Sequence, residues 1–219
     1  MRRVTELSLV SDREHYDDLV VRSLCRARVS IWIATATLKD VHIEAPVGTA
    51  ARARGRYVSL VEHFVSLVRA GVEIRILHGA APSRRLRASL AAAQELGAPG
   101  FELRQCPRVH LKLVVVDGAA VYLGSANFTG AGLGAKGEGR RNFEMGVVLD
   151  DDVLLDAVQS RFDRIWSGRE CGACKLRSIC PKPLDQRAAP TSPTSASAGV
   201  SPGRPRKRRA SRRAGRGSK

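Results

Sequence analysis

The segment Val109-His110-Leu111-Lys112-Leu113-Val114-Val115-Val116-Asp117 sets an imidazole and an ammonium group two residues apart in an apolar run. In a strand alternate side chains share a face, so His110 and Lys112 point the same way while Leu111 and Leu113 point into a core. Two such groups on one apolar face would be costly in a plain core. Facing an anion, the lysine supplies fixed positive charge, and the histidine attacks or moves a proton near neutral pH. Six residues after Asp117 comes the block Gly124-Ser125-Ala126-Asn127-Phe128-Thr129. Its glycine admits close backbone approach, and Ser125 and Asn127 bring donors suited to phosphate oxygens. Further on, Asn142-Phe143-Glu144 offers a carboxylate that can orient an imidazole.

Such groups need a rigid frame. Residues 12–27 read as a helix with Ser11 as its N-cap, and Val29–Ala36 as a buried, β-branched strand. Lys39–Arg56 reads as a long loop carrying Arg52, Arg54 and Arg56. Apolar residues at helical spacing predict a helix over Tyr57–Ala70, followed by a strand over Val72–Leu77. A helix over Ser83–Leu96 closes at Gly97. Strands follow at Phe101–Cys106, Val109–Val116 and Ala120–Leu123, the last two joined by the Asp117-Gly118 turn. A glycine-rich loop over 130–141, a strand over Phe143–Leu149 and a helix over Asp151–Trp166 complete the pattern. This order predicts an α/β (α+β) fold, a mixed β-sheet flanked by helices. The expected division is a catalytic domain over residues 1–168, a small cysteine-containing segment over 169–186 and a basic tail over 187–219. The tail lacks apolar bulk to offset its ordering entropy and is expected to be disordered.

The net charge is +16, and residues 188–219 hold nine Lys and Arg with no Asp or Glu, leaving +7 for residues 1–187. That balance favours acidic substrates or partners. Behind Arg2 and Arg3 there is no apolar run of the kind a secretory signal needs. The longest uncharged stretch, Gly118–Ala135, is rich in Gly, Ser, Asn and Thr and is unsuited to crossing a membrane. Five cysteines, three of them crowded near the C-terminus, fit a metal site better than a secreted disulfide framework. A cytoplasmic protein without a transmembrane segment is expected.

The run from His110 to Asn127 resembles the HKD motif of the phospholipase D superfamily, H-x-K-x4-D-x6-G-S-x-N. His110, Lys112, Asp117, Gly124, Ser125 and Asn127 supply its members, and Asn142 and Glu144 match the downstream N-x-E pattern. The looser likeness runs over about residues 8–167. The resemblance implies phosphodiester hydrolysis without a catalytic cofactor, through a phosphohistidine formed between two facing motifs. This chain holds one motif, which implies a homodimer like that of the small bacterial endonucleases of the superfamily. By resemblance His110 is nucleophile or acid, Lys112 and Asn127 clamp the phosphate, and Glu144 orients the imidazole. Asp117, in an Asp-Gly turn, is either part of that machinery or a structural hydrogen-bonding residue. Ser125 and Thr129 lie behind these groups, and Arg140 and Arg141 precede Glu144 as candidate substrate contacts. DNA is the expected substrate; phospholipid is the alternative, and a non-catalytic DNA-binding protein of the same fold is the second alternative.

Cys171-Gly172-Ala173-Cys174-Lys175-Leu176-Arg177-Ser178-Ile179-Cys180-Pro181 reads C-x2-C-x5-C-P. Two thiolates three residues apart can grip one metal centre, and a third after a short turn closes the face. The spacing resembles the last three cysteines of an iron–sulfur motif found in nucleases of another fold. The fourth ligand is Cys106, Cys25 or a histidine, and the occupant an iron–sulfur cluster ([4Fe-4S]) or structural zinc; free or redox thiols are the third reading. In the tail, Pro202-Gly203-Arg204-Pro205-Arg206-Lys207-Arg208-Arg209 partly resembles an AT-hook, which lays arginine into narrow minor grooves. Arg204, Arg206, Lys207, Arg208 and Arg209 are the candidate nucleic-acid contacts, through that mode or through the phosphate backbone.

Overall fold

The computed structural model describes residues 7–45, 47–93, 99–180 and 182–186. Seven strands form one mixed sheet in the order β1-β9-β8-β7-β2-β5-β6. They are β1 (Leu7–Ser11), β2 (Ser30–Thr35), β5 (Glu73–His78), β6 (Phe101–Gln105), β7 (Leu113–Val116), β8 (Ala120–Gly124) and β9 (Met145–Leu149). β2, β5 and β6 run parallel, and the other pairings are antiparallel. The short strands β3 (His42–Glu44) and β4 (Tyr57–Ser59) pair separately.

The central strands are apolar on both faces because both faces are covered. On β7, Val114 and Val116 pack with Ile31 and Ile33 of β2 beneath a π-type helix (His15–Ser23), α2 (Leu60–Arg69) and α3 (Arg84–Ala92). Leu113 and Val115 face the other way, against Leu155, Val158 and Phe162 of α4 (Asp152–Trp166). This is the mixed sheet flanked by helices that the pattern of elements predicts.

Several boundaries differ from the sequence expectation. Ser11 ends β1 instead of capping a helix; its N–H and hydroxyl donate to the Glu14 carboxylate at 2.7 and 3.0 Å. The loop expected over Lys39–Arg56 holds β3 and α1 (Ala50–Ala53), and Tyr57 lies in β4, ahead of α2. The reason is a capping box: the Ser59 hydroxyl accepts from Val61 N–H at 3.1 Å and Glu62 reaches back, so the helix starts at Leu60. Contacts join residues 1–187 into one compact unit. Residues 169–186 lie against it through buried Leu184. The end of the expected helix beyond residue 93, and the whole basic tail with Arg204, Arg206, Lys207, Arg208 and Arg209, lie outside the described residues.

Candidate active site

One edge of the sheet collects the chemistry-bearing residues. There β2 ends at Thr35, β5 at His78 and β6 at Gln105, while β7 begins at Leu113 and β8 ends at Gly124. The register Ala34↔Leu113↔Leu123 and Gly124↔Gly146 aligns these ends. His110 and Lys112 were expected within a strand over Val109–Val116. They lie instead in the segment that leads into β7, although Gly124 N–H still donates to the Lys112 carbonyl at 3.2 Å. The segment is displaced because it crosses the end of β5. A Cβ on Gly79 would lie 2.4 Å from the Val109 carbonyl oxygen and 3.0 Å from that of Ala36, so only glycine permits this crossing. Leu111 and Leu113 pack into the α4-side core, as strand alternation requires.

His110 is exposed and Lys112 partly so. Lys112 Nζ donates to the His110 carbonyl at 3.0 Å and lies 3.0 Å from Nδ1 and 3.3 Å from Nε2 of the imidazole. The pair thus presents one cation and one titratable ring to solvent at the same point. Asn127 is aimed by β2: its Oδ1 accepts from Thr37 N–H at 3.1 Å and lies 3.4 Å from the Thr35 hydroxyl. Thr35 is itself fixed, donating to the Thr37 carbonyl and accepting from Phe128 N–H, each at 2.9 Å. With its oxygen held, the Asn127 NH2 group is the part left to meet an anion.

Glu144 is held by its neighbours. Its carboxylate accepts from the Ser125 hydroxyl and from Asn142 Nδ2, the latter at 2.9 Å. Ser125 Oγ in turn accepts from Met145 N–H at 3.1 Å. Asp12 locks the Glu144 backbone from both sides, its carboxylate accepting Glu144 N–H at 2.9 Å and its own N–H donating to the Glu144 carbonyl at 3.0 Å. Beneath lies fully buried His15, with Nε2 2.9 Å from the Tyr122 hydroxyl and Nδ1 3.2 Å from the Asp12 carbonyl. Burial pushes the His15 pKa down and raises that of Tyr122 to about 12. The Tyr122 ring covers Gly124 and Gly146, where added Cβ atoms would meet it at 2.2 and 2.4 Å. Asp12, His15, Thr35, Gly79 and Tyr122 escape sequence reasoning because no spacing links them to the motif.

Two expected site residues make hydrogen bonds to the backbone. Asp117 follows β7 at the end opposite to the one that His110 and Lys112 lead into. Its carboxylate accepts the backbone N–H groups of Arg28, Val29 and Ser30 at 2.7–3.0 Å. Burial raises its pKa, but those three hydrogen bonds outweigh burial and hold the carboxyl below its usual range. Thr129 is buried, and its hydroxyl accepts from Gly132 N–H at 3.0 Å, which shapes the glycine-rich loop. Arg140 is exposed in that loop, and Arg141 pairs with Glu138 at 3.8 Å. Beside them Lys39, Arg85 and Lys136 line a cleft with Thr129, Gly130 and Asp40.

The cysteines divide. Cys106, Cys171, Cys174 and Cys180 line one cavity at the same sheet edge. Cys25 packs in the opposite core, where burial pushes its thiol up to about 12. Cys174 is held below the usual thiol value, first by Leu176 N–H and then, against burial, by the Arg108 guanidinium. Among the described residues no group of three or more His, Cys, Asp or Glu is placed to hold a metal ion.

A mixed sheet with an exposed His–Lys pair, an aimed asparagine and a braced carboxylate at one edge defines a phospholipase-D-like domain. The chain belongs to the family described as cardiolipin synthase, PLD-like domain, which matches residues 20–166. Its fold is similar to that of a phospholipase D family member, Nuc, from Salmonella typhimurium, with a TM-score of 0.50 and 21% identity over 75% of this chain and 95% of that one. It is also similar to NucT from Helicobacter pylori, with a TM-score of 0.52 and 16% identity over 74% of this chain and 95% of that one. No curated protein sequence matches the chain significantly. No helix among the described residues is long and apolar enough to cross a membrane.

Proposed function

We propose that this protein is a homodimeric phosphodiesterase that cleaves nucleic acid, with DNA as its substrate, through a phosphohistidine. The observation that carries the reading is the meeting of His110, Lys112, Asn127 and Glu144 at one solvent-open sheet edge. In the proposed mechanism His110 of one protomer attacks phosphorus through an imidazole nitrogen. The phosphorus–oxygen bond to the leaving group breaks, and the partner's His110 gives that oxygen its proton. The second histidine then takes a proton from water, which attacks phosphorus, breaks the phosphorus–nitrogen bond and frees His110. Lys112 and Asn127 hold the nonbridging oxygens as charge builds on them. Glu144 acts as a positioning residue for an imidazole. No step requires a cofactor.

Two-histidine chemistry on a chain with one motif calls for a second copy. Large apolar side chains are exposed beside the site: Phe143 is 95% and Met145 60% exposed, flanking Glu144, and Leu9 on edge strand β1 is 59% exposed. We take these side chains as the surface that a second copy covers in the proposed dimer. The cationic cleft of Lys39, Arg85 and Lys136 extends the site in a direction that a polyanion fills better than one head group. The arginine-rich tail adds to the same attraction.

The test incubates the purified protein and His110→Ala with supercoiled plasmid, single-stranded DNA, RNA and phosphatidylcholine, all in EDTA. Parent protein is expected to cut nucleic acid, sediment as a dimer and lose specific activity on dilution; His110→Ala is expected to be inactive. Equal cleavage by His110→Ala, or full activity in a strict monomer, would overturn the mechanism. Turnover of phosphatidylcholine alone would transfer the mechanism to a lipid substrate.

A further inference from the structure

The cavity at the end of β6 is built from two distant parts of the chain. Cys106 follows β6 directly, and Cys171, Cys174 and Cys180 come from the segment after α4. Pro107, Leu176, Pro183 and Leu184 make up much of the remaining wall. Nothing in the phosphodiesterase reading uses this cavity. Four partly buried thiols line one apolar space, each without a disulfide, and it is their reactivity rather than their packing that marks the place chemically.

We propose that Cys106, Cys171, Cys174 and Cys180 bind an iron–sulfur cluster that fastens residues 169–186 to the segment carrying His110. Four thiolates are the usual ligand set for such a cluster. The placement of the cysteines favours a cluster over one zinc ion. Zinc draws its four sulfurs to roughly 2.3 Å from a single point. Here, among the described residues, no three of the cysteines are gathered as a single ion requires. A cluster spreads its thiolates over separate iron atoms. Arg108 and Arg177 lie on the same wall as the cysteines, so positive charge faces the negative charge that a four-thiolate cluster carries. The backbone of the segment is already arranged in short turns: Cys174 N–H donates to the Cys171 carbonyl at 3.1 Å and Cys180 N–H to the Arg177 carbonyl at 3.3 Å. Pro181 follows the last cysteine, as proline follows the last cysteine of bacterial ferredoxin runs.

The site also has a mechanical consequence. Cys106 lies four residues before His110, its N–H donating to the His78 carbonyl and its carbonyl accepting from Val109 N–H, each at 2.9 Å. A cluster on Cys106 therefore pins the start of the crossing that carries His110 over Gly79.

The test is anaerobic purification of the full chain, with iron, acid-labile sulfide and zinc measured on the parent, Cys106→Ser, Cys174→Ser and Cys25→Ser. The parent should be brown, with iron and sulfide in equal amounts and a broad visible charge-transfer band. Cys106→Ser and Cys174→Ser should lose the colour and most of the iron, and Cys25→Ser should keep both. Amide exchange over residues 106–112 should rise when the parent is stripped of iron. Colourless protein with stoichiometric zinc, or colour that survives Cys106→Ser, would overturn the assignment. Metal-free protein that takes up no iron or sulfide on anaerobic reconstitution would also overturn it. These readouts do not depend on any catalytic activity.

Discussion

The two ends of β7 put residues of one short motif to opposite uses. At the Leu113 end, His110 and Lys112 are exposed, and the hydrogen bonds around them hold Asn127 and Glu144 in place while leaving groups for an anion. At the Val116 end, the Asp117 carboxylate spends its acceptors on three consecutive backbone N–H groups at the start of β2. The strand between them is buried on both faces, so neither end communicates with the other except through rigid packing. A sequence motif can therefore combine a chemical half and an architectural half, separated by the length of one strand.

The strongest way to break this comparison is to remove phosphate clamps at the open end. Lys112→Ala and Asn127→Ala should each cost about 2.7–4 kcal/mol in the barrier, a loss of roughly 10²–10³ in kcat, by analogy with deleting one oxyanion donor. Thermal melting should hardly move for Lys112→Ala and should fall modestly for Asn127→Ala, which takes the acceptor from Thr37 N–H. Steady-state kinetics beside a melting curve would show whether the loss is chemical.

At the closed end the effect should be reversed. Asp117→Asn keeps a residue that tolerates the positive φ of 56° while replacing a charged acceptor by a neutral one. It should destabilise the protein by about 1–2 kcal/mol, the difference between charged and neutral hydrogen bonding, and leave kcat of the folded protein unchanged. The pH dependence follows from the lowered folded pKa. The contribution of Asp117 is present above the unfolded carboxylate pKa and is lost as pH falls through the folded value. The stability gap between parent and Asp117→Asn should thus shrink in acid, as denaturant titrations at neutral and acidic pH would show. A kcat loss in Asp117→Asn as large as that of Lys112→Ala would erase the distinction between the two ends.

Thr129 sharpens the boundary, since it lies on the open side yet bonds only to its own loop among the described residues. Thr129→Val should cost roughly 0.5–1.5 kcal/mol of stability, one neutral hydrogen bond, and change kcat little. A kcat loss without destabilisation would return Thr129 to the substrate.

Much of the fold is legible because its signals are local. Runs such as Ser30–Thr35 and Leu113–Val116 are apolar throughout because both faces of the sheet are covered, and α4 shows its buried face as a helical period. β1 is not legible: as an edge strand it is exposed at three of its five positions and carries a weak pattern. β3 and β4 are too short to show a period.

The same distinction governs the functional residues. The sequence by itself determined the identity of the chemical groups, because His110 with Lys112, Ser125 with Asn127 and Glu144 each stand at short, readable spacings. It also determined that three cysteines form one unit. Only the tertiary structure set the Asp117 carboxylate on three backbone N–H groups at the start of β2 and braced Glu144 with Asp12, Ser125 and Asn142. It likewise decided that Cys106, and not Cys25, joins the other cysteines. The physical reason is that strand period and short spacing are properties of neighbouring residues. Which strand ends share an edge depends on the packing order of the sheet, and residues such as Cys106 and Cys171 become neighbours only when β6 and α4 have taken their places in it.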